Sequence, residues 1–117
     1  MAPLHWSPAL ARHAQVWADR LAKRGCALEH RRDDGYGENL YWSSATSTAS
    51  AVVAEWAAEA KHYDHRKNSC KGVCGHYTQM VWSTTRALGC GTARCGTAEI
   101  WVCNYDPPGN FVGQAPY

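Results

Sequence analysis

The chain has 117 residues, a formal charge of +2 with histidine neutral, and six cysteines, six tryptophans and six tyrosines. That length fits one domain, and so even a charge balance argues against nucleic-acid binding and electrostatic membrane binding. No apolar run approaches the ~18 residues of a membrane span. The opening Met1-Ala2-Pro3-Leu4-His5-Trp6 lacks the basic start and apolar stretch of a secretory leader.

Ser7-Pro8 reads as a helix start, with serine capping and proline in the first turn. Leu10, Ala14, Trp17 and Leu21 follow at helical spacing, and Gly25 ends the helix. From Cys26 to Trp42 the chain reads as irregular, with Asp33 (which lies outside the residues the structure describes), Asp34, Gly35 and Gly37 as turn formers. A second helix is expected from about Ser47 to Tyr63, with Val52, Val53, Trp56, Ala60 and Tyr63 as its buried stripe and Glu59 beside it. Asn68 to Gly75 is a loop, and a short helix runs through His76 to Val81. Leu88 to Cys95 and Glu99 to Tyr105 then read as strands joined at Gly96-Thr97, with Ile100 and Val102 on one face and Trp101 and Cys103 on the other. The tail from Asp106 holds three prolines and two glycines and is expected to be extended on the surface, untied beyond Cys103. Helices first and strands last suggest an α+β domain, with helices covering an antiparallel sheet.

Six cysteines in so short a chain point to a disulfide framework and an oxidising compartment. Zinc is the rival. Cys70 and Cys74 have a usable C-x3-C spacing, but Cys90 and Cys95 are C-x4-C, and Cys26 and Cys103 then have no role. His62 and His65 read as exposed residues near a helix C-terminus, where a positive charge is favoured. His5 and His13 have no evident partner, and Trp17, Trp56 and Trp82 fit core positions.

Four strings carry a further identity: GENLYW from Gly37, WAAE from Trp56, GHYTQMVW from Gly75 and CNYDPPGN from Cys103. Together they make the chain, from Pro3 to Tyr117, resemble the plant pathogenesis-related 1 branch of the CAP superfamily (cysteine-rich secretory proteins, antigen 5, pathogenesis-related 1). The resemblance implies one secreted, monomeric CAP domain with an α-β-α sandwich. It implies the pairings Cys26–Cys90, Cys70–Cys74 and Cys95–Cys103. Spacing agrees for two of them, since Cys70 and Cys74 close a tight ring around Gly72, and Cys95 and Cys103 are on strands expected to be neighbours. Members usually begin with a further helix, whereas this chain opens at PLHW, beyond where that helix stands.

The family's cleft of two histidines and two glutamates falls, by motif, on His30, Glu38, Glu59 and His76. Two neutral imidazoles suit zinc or copper, and nearby carboxylates can fix their tautomers or hold a water. No cofactor is required by this reading, and zinc is the metal expected if one binds. The resemblance further implies antimicrobial or anti-oomycete action through sterol or other lipid binding, at a segment corresponding to Tyr63-Asp64-His65-Arg66. His65 stands there where related chains often carry an aromatic residue. It also implies cleavage between Asp106 and Pro107, releasing an eleven-residue signalling peptide that ends at Tyr117. A metal-assisted hydrolase using the same tetrad is the alternative. Against it, the chain has no HExxH, no GxSxG and no nucleophile assignable beside either histidine.

Overall fold

Ser7 caps the first helix, α1 (Pro8–Ala22): its hydroxyl accepts from the Leu10 N–H at 3.1 Å, and Pro8 fills the first turn. The structure is a computed structural model describing residues 3–32 and 34–117. It contains, in order, β1 (His5–Trp6), α1, β2 (Gly37–Ser43), α2 (Ala49–Ala57), β3 (Tyr63–Asp64), β4 (Ser69–Cys70), α3 (Gly75–Met80), β5 (Ala87–Cys95) and β6 (Ala98–Asp106). The main sheet has the order β1-β5-β6-β2, so β2 is an edge strand. Strand β1 runs parallel to β5 while β5, β6 and β2 are antiparallel, so the sheet is mixed and not wholly antiparallel as expected.

Alternation along the strands builds two cores. Ile100 and Val102 join Leu40 against Ala14, Trp17, Ala18 and Leu21 of α1. Cys103 and Tyr105 join Val52 and Trp56 of α2 on the opposite face, with Tyr41 and Trp101 beside them. Each fully buried Leu, Ile or Val contributes about 1.5–3 kcal/mol. Helix α1 lies close on the sheet because Gly91 has no side chain. A Cβ there would come within 2.6 Å of the Gln15 Cα.

Two expectations change shape. The second helix is capped by Thr48 and ends at Ala57, giving way to a tighter 3-10 turn over Ala58–His62, which carries Glu59. Strand β2 occupies a stretch expected to be irregular. Gly37, Glu38 and Asn39 are poor strand formers, and the strand exists through its pairing with β6 from Gly37–Tyr105 to Ser43–Glu99.

Three disulfides form, and Cys70–Cys74 is one of them. The other two differ from expectation: Cys26 pairs with Cys95, and Cys90 with Cys103. Register is the reason. The two-residue turn at Gly96-Thr97 sets Cys95 opposite Ala98, which places Cys90 opposite Cys103 with their Cα atoms 4.1 Å apart. Cys103 lies five residues beyond Ala98, about 16 Å along the strand, and projects from the other face. Cys95 therefore cannot reach it and meets Cys26 on the α1 side.

The tail is also tied down, contrary to expectation. Pro107 O accepts from the Thr85 hydroxyl at 2.9 Å, Gly109 N–H donates to Gln79 Oε1 at 3.0 Å, and Pro116 O accepts from Ser83 N–H at 2.7 Å. Asn110 bonds both Thr78 Oγ1 and Gly75 O, and the Tyr117 and Tyr77 hydroxyls meet at 2.8 Å. Proline and glycine keep the segment out of regular structure, but its polar groups find partners on the core.

Candidate functional site: a cleft with two carboxylate-held histidines

Strand β2 alternates, so adjacent residues serve opposite faces. Glu38 turns to the α1 side and meets His30 in the loop after that helix: Glu38 Oε1 accepts from the Arg31 N–H at 3.0 Å and lies 2.9 Å from His30 Nδ1. Asn39 turns to the other side, where its Nδ2 donates to His76 O at 3.1 Å and to the Tyr105 hydroxyl at 3.2 Å. His76 is held by Glu59. Glu59 Oε2 is 2.7 Å from His76 Nδ1, and Oε1 accepts the N–H groups of His76 and Tyr77, both at 3.0 Å. Glu59 thus satisfies main-chain donors that open α3 and have no partner within the helix. The His76 ring stacks on Trp56 with centroids 5.9 Å apart and planes 8° from parallel.

Both histidines line one cleft of about 420 Å³ along the β2 edge, walled also by Leu28, Leu40, Trp42, Trp56 and Glu59. The four predicted residues are brought together as two His–Glu pairs. They are not equivalent: Glu38 stands behind His30 with its side chain 5% exposed, while Glu59 faces the cleft. With Nδ1–H given to a carboxylate, a neutral ring at either position would keep its lone pair on Nε2, which is the arrangement of metal-binding histidines. No group of three or more His, Cys, Asp or Glu side chains among the described residues is gathered closely enough to hold an ion. A metal in this cleft would therefore draw at most two ligands from these side chains and need water or ligand atoms to complete its shell.

The profile of the cysteine-rich secretory protein family, CAP, matches residues 1–105. The chain belongs to the CAP family. It is 45% identical over 116 residues to "Pathogenesis-related protein 1" of Arabidopsis thaliana, covering 98% of this chain and 71% of that one. Pathogenesis-related protein 1C of Nicotiana tabacum is 44% identical over 119 residues, covering 98% and 70%. Among solved structures, the Schistosoma mansoni venom allergen-like protein 4 superposes with a TM-score of 0.82 at 33% identity, covering 100% of this chain and 74% of that chain. A crystal structure of NaASP2 with Zn2+ superposes with a TM-score of 0.72 at 30% identity, covering 100% and 66%.

In this CAP chain the other named segments do not line the cleft. Tyr63 and Asp64 form β3, paired with β4, and His65 stacks on Tyr117 with centroids 4.3 Å apart while its Nε2 bonds Tyr117 O at 2.5 Å. The Tyr117 contact, with burial adding to it, pushes the Tyr77 phenol up to about 12. Asp106 ends β6, and its carbonyl accepts from Arg86 N–H at 3.0 Å. His13, unpartnered in sequence, lies 2.7 Å from Asp34. Sequence reasoning missed Asn39 and Asn104, both buried. For Asn104 the available signal was an asparagine continuing the alternation of Ile100 and Val102 on one strand face; for Asn39, between Gly37 and Tyr41, the sequence offered none. No helix among the described residues is long and apolar enough to cross a membrane.

Proposed function

We propose that this CAP chain is a secreted, defence-related binding protein whose cleft takes a ligand through His30 and His76 without turning it over. The observation that carries this reading is the pair of imidazoles, each held at Nδ1 by its own glutamate and both lining one open cleft. If a divalent ion such as zinc binds, His30 and His76 would hold it, and it would supply a Lewis acid for an anionic or carbonyl ligand. The NaASP2 structure with Zn2+, at 30% identity, supports testing zinc first. Among the described residues the cleft lining contains no serine, threonine, cysteine or lysine, and Glu59 is committed to three N–H groups. Both features favour binding over hydrolysis.

Defence-related action follows the names of the plant relatives. A sterol or other lipid, and through it a microbial surface, is the partner proposed for the Tyr63–Arg66 segment. There the stacked Tyr117 would compete with a ligand for His65. Release of the peptide from Pro107 to Tyr117 belongs to the same proposal, and it requires the docked tail to be peeled from Thr78, Gln79 and Ser83.

Native mass spectrometry of the full chain with zinc and with a sterol panel tests the reading. The expected result is a monomer with a 1:1 zinc adduct that vanishes in the His30→Ala/His76→Ala double variant, and a sterol adduct that survives it. A zinc adduct unchanged in the double variant would refute the cleft assignment, and saturable ester or peptide hydrolysis lost on mutating Glu59 would favour the hydrolase.

A further inference from the structure

Ile100, Val102 and Asn104 share one face of β6. The first two are apolar and fully buried, and Asn104 is as buried as they are, at 0% exposure. A carboxamide where the pattern calls for an apolar side chain needs a cause. In register it stands opposite Glu38 on β2 and Gly89 on β5. Its Nδ2 donates to Glu38 Oε2 at 3.2 Å and to Gly37 O at 3.3 Å. Its Oδ1 is the one buried side-chain oxygen or nitrogen without a partner among the described residues. Reversing the amide would set Oδ1 against a carboxylate and a carbonyl, so the surroundings fix its orientation. Burying an unsatisfied oxygen costs stability, and packing alone would favour another valine. What the side chain accomplishes is its contact with Glu38.

We propose that Asn104 is a positioning residue for the His30 arm of the cleft. By occupying Oε2 it leaves Glu38 Oε1 to receive the Arg31 N–H and the His30 Nδ1–H. The carboxylate, anchored at both oxygens, holds the imidazole proton on Nδ1 and keeps the Nε2 lone pair available to the cleft. The His76 arm is built differently. Its glutamate is anchored by two main-chain N–H groups of α3 and, among the described residues, by no side-chain amide. Changing Asn104 should therefore disturb His30 and spare His76, which serves as the control within the same molecule. The importance of this positioning rests on the cleft being the ligand site, but the positioning itself is read in the ligand-free protein.

The test uses long-range 1H–15N spectra of the histidine side chains in the full chain at a pH where both are neutral. The wild-type protein should show both rings as Nδ1–H tautomers. In Asn104→Leu, similar in branching but bulkier and without the donor, His30 should move to a mixture rich in Nε2–H while His76 keeps its shifts. Asn104→Ser, which retains a donor and provides a second route if the leucine variant does not fold, should lie between. In a Glu38→Gln background, a further Asn104→Leu change should leave the His30 tautomer where Glu38→Gln alone puts it, as two residues acting through one path require. Zinc affinity should fall about 10–100-fold in Asn104→Leu, the usual cost of losing an outer hydrogen-bond partner. An unchanged His30 tautomer in the Asn104 variants, or equal disturbance of His30 and His76, overturns the proposal. Failure of the wild-type protein to bind zinc counts against the metal reading alone, because the tautomer shift is measured without metal.

Discussion

Replacing Glu59 by alanine removes a carboxylate that accepts three hydrogen bonds: His76 N–H at 3.0 Å, Tyr77 N–H at 3.0 Å and His76 Nδ1 at 2.7 Å. Hydrogen bonds to a charged group contribute about 1.5–3 kcal/mol each. A simple sum overstates the loss, because the Glu59 and His76 side chains are 14% and 30% exposed and water can enter once the carboxylate is gone. The expected destabilisation is then about 2–4 kcal/mol, set by the two opening N–H groups of α3 that lose their acceptor. Glu59→Gln keeps one acceptor oxygen for those N–H groups but turns an NH2 toward His76 Nδ1. It should cost about 1–2 kcal/mol and force the His76 proton onto Nε2. Urea unfolding followed by tryptophan fluorescence gives the stabilities, since Trp56 stacks on His76, and histidine 15N shifts give the tautomer. A loss below about 0.5 kcal/mol in Glu59→Ala, or an unchanged His76 tautomer in Glu59→Gln, would refute the bridging role of this carboxylate.

Non-reducing peptide mapping should recover Cys26–Cys95, Cys70–Cys74 and Cys90–Cys103 and no free thiol; a Cys95–Cys103 peptide would contradict the β5–β6 register. Closing the 69-residue separation between Cys26 and Cys95 should stabilise by about 4 kcal/mol against about 3 kcal/mol for Cys90–Cys103 in the chain-entropy picture, so the double alanine variant of the first pair should unfold at lower urea. The Tyr77 phenol ionises at about 12 in the folded protein against about 10 in an unfolded chain. A raised folded value means its contribution is complete below about pH 10 and is lost as pH rises toward 12. Stability should fall over that window in short-exposure measurements, and Tyr77→Phe should flatten the fall; an equal slope in both proteins would exclude this latch. Deleting the residues after Asp106 removes the partners of Thr78, Gln79 and Ser83. Hydrogen exchange should then accelerate in α3, and unchanged exchange there would mean that the tail contributes nothing to holding the cleft.

Local chemistry settled much of this protein before any fold was considered. Ser7-Pro8 starts α1 because the hydroxyl and the missing N–H suit a first turn, and the stripe of Leu10, Ala14, Trp17 and Leu21 needs only a 3.6-residue period. The hairpin of β5 and β6 was legible from its alternation and from Gly96-Thr97, and counting outward from that turn already sets Cys90 against Cys103. Adjacency of the two strands without that register leaves Cys95–Cys103 open as well. His30, Glu38, Glu59 and His76 were legible as members of motifs, but not as two separate pairs. Glu38 lies behind His30 because β2 is an edge strand between two helical layers, a fact carried by its pairing with β6 and not by GENLYW itself, and Glu59 meets the N–H groups of α3 because the 3-10 turn after α2 lies against that helix. The same holds for β1, two residues that are a strand only because β5 lies alongside, and for the tail, whose prolines forbid regular structure but say nothing of where Asn110, Pro116 and Tyr117 dock. Periodicity and capping act over one or two turns of chain, so sequence reveals them. Edge position, the face of each cysteine and the partner of a buried asparagine depend on residues up to about 70 positions apart, and only tertiary packing brings those together.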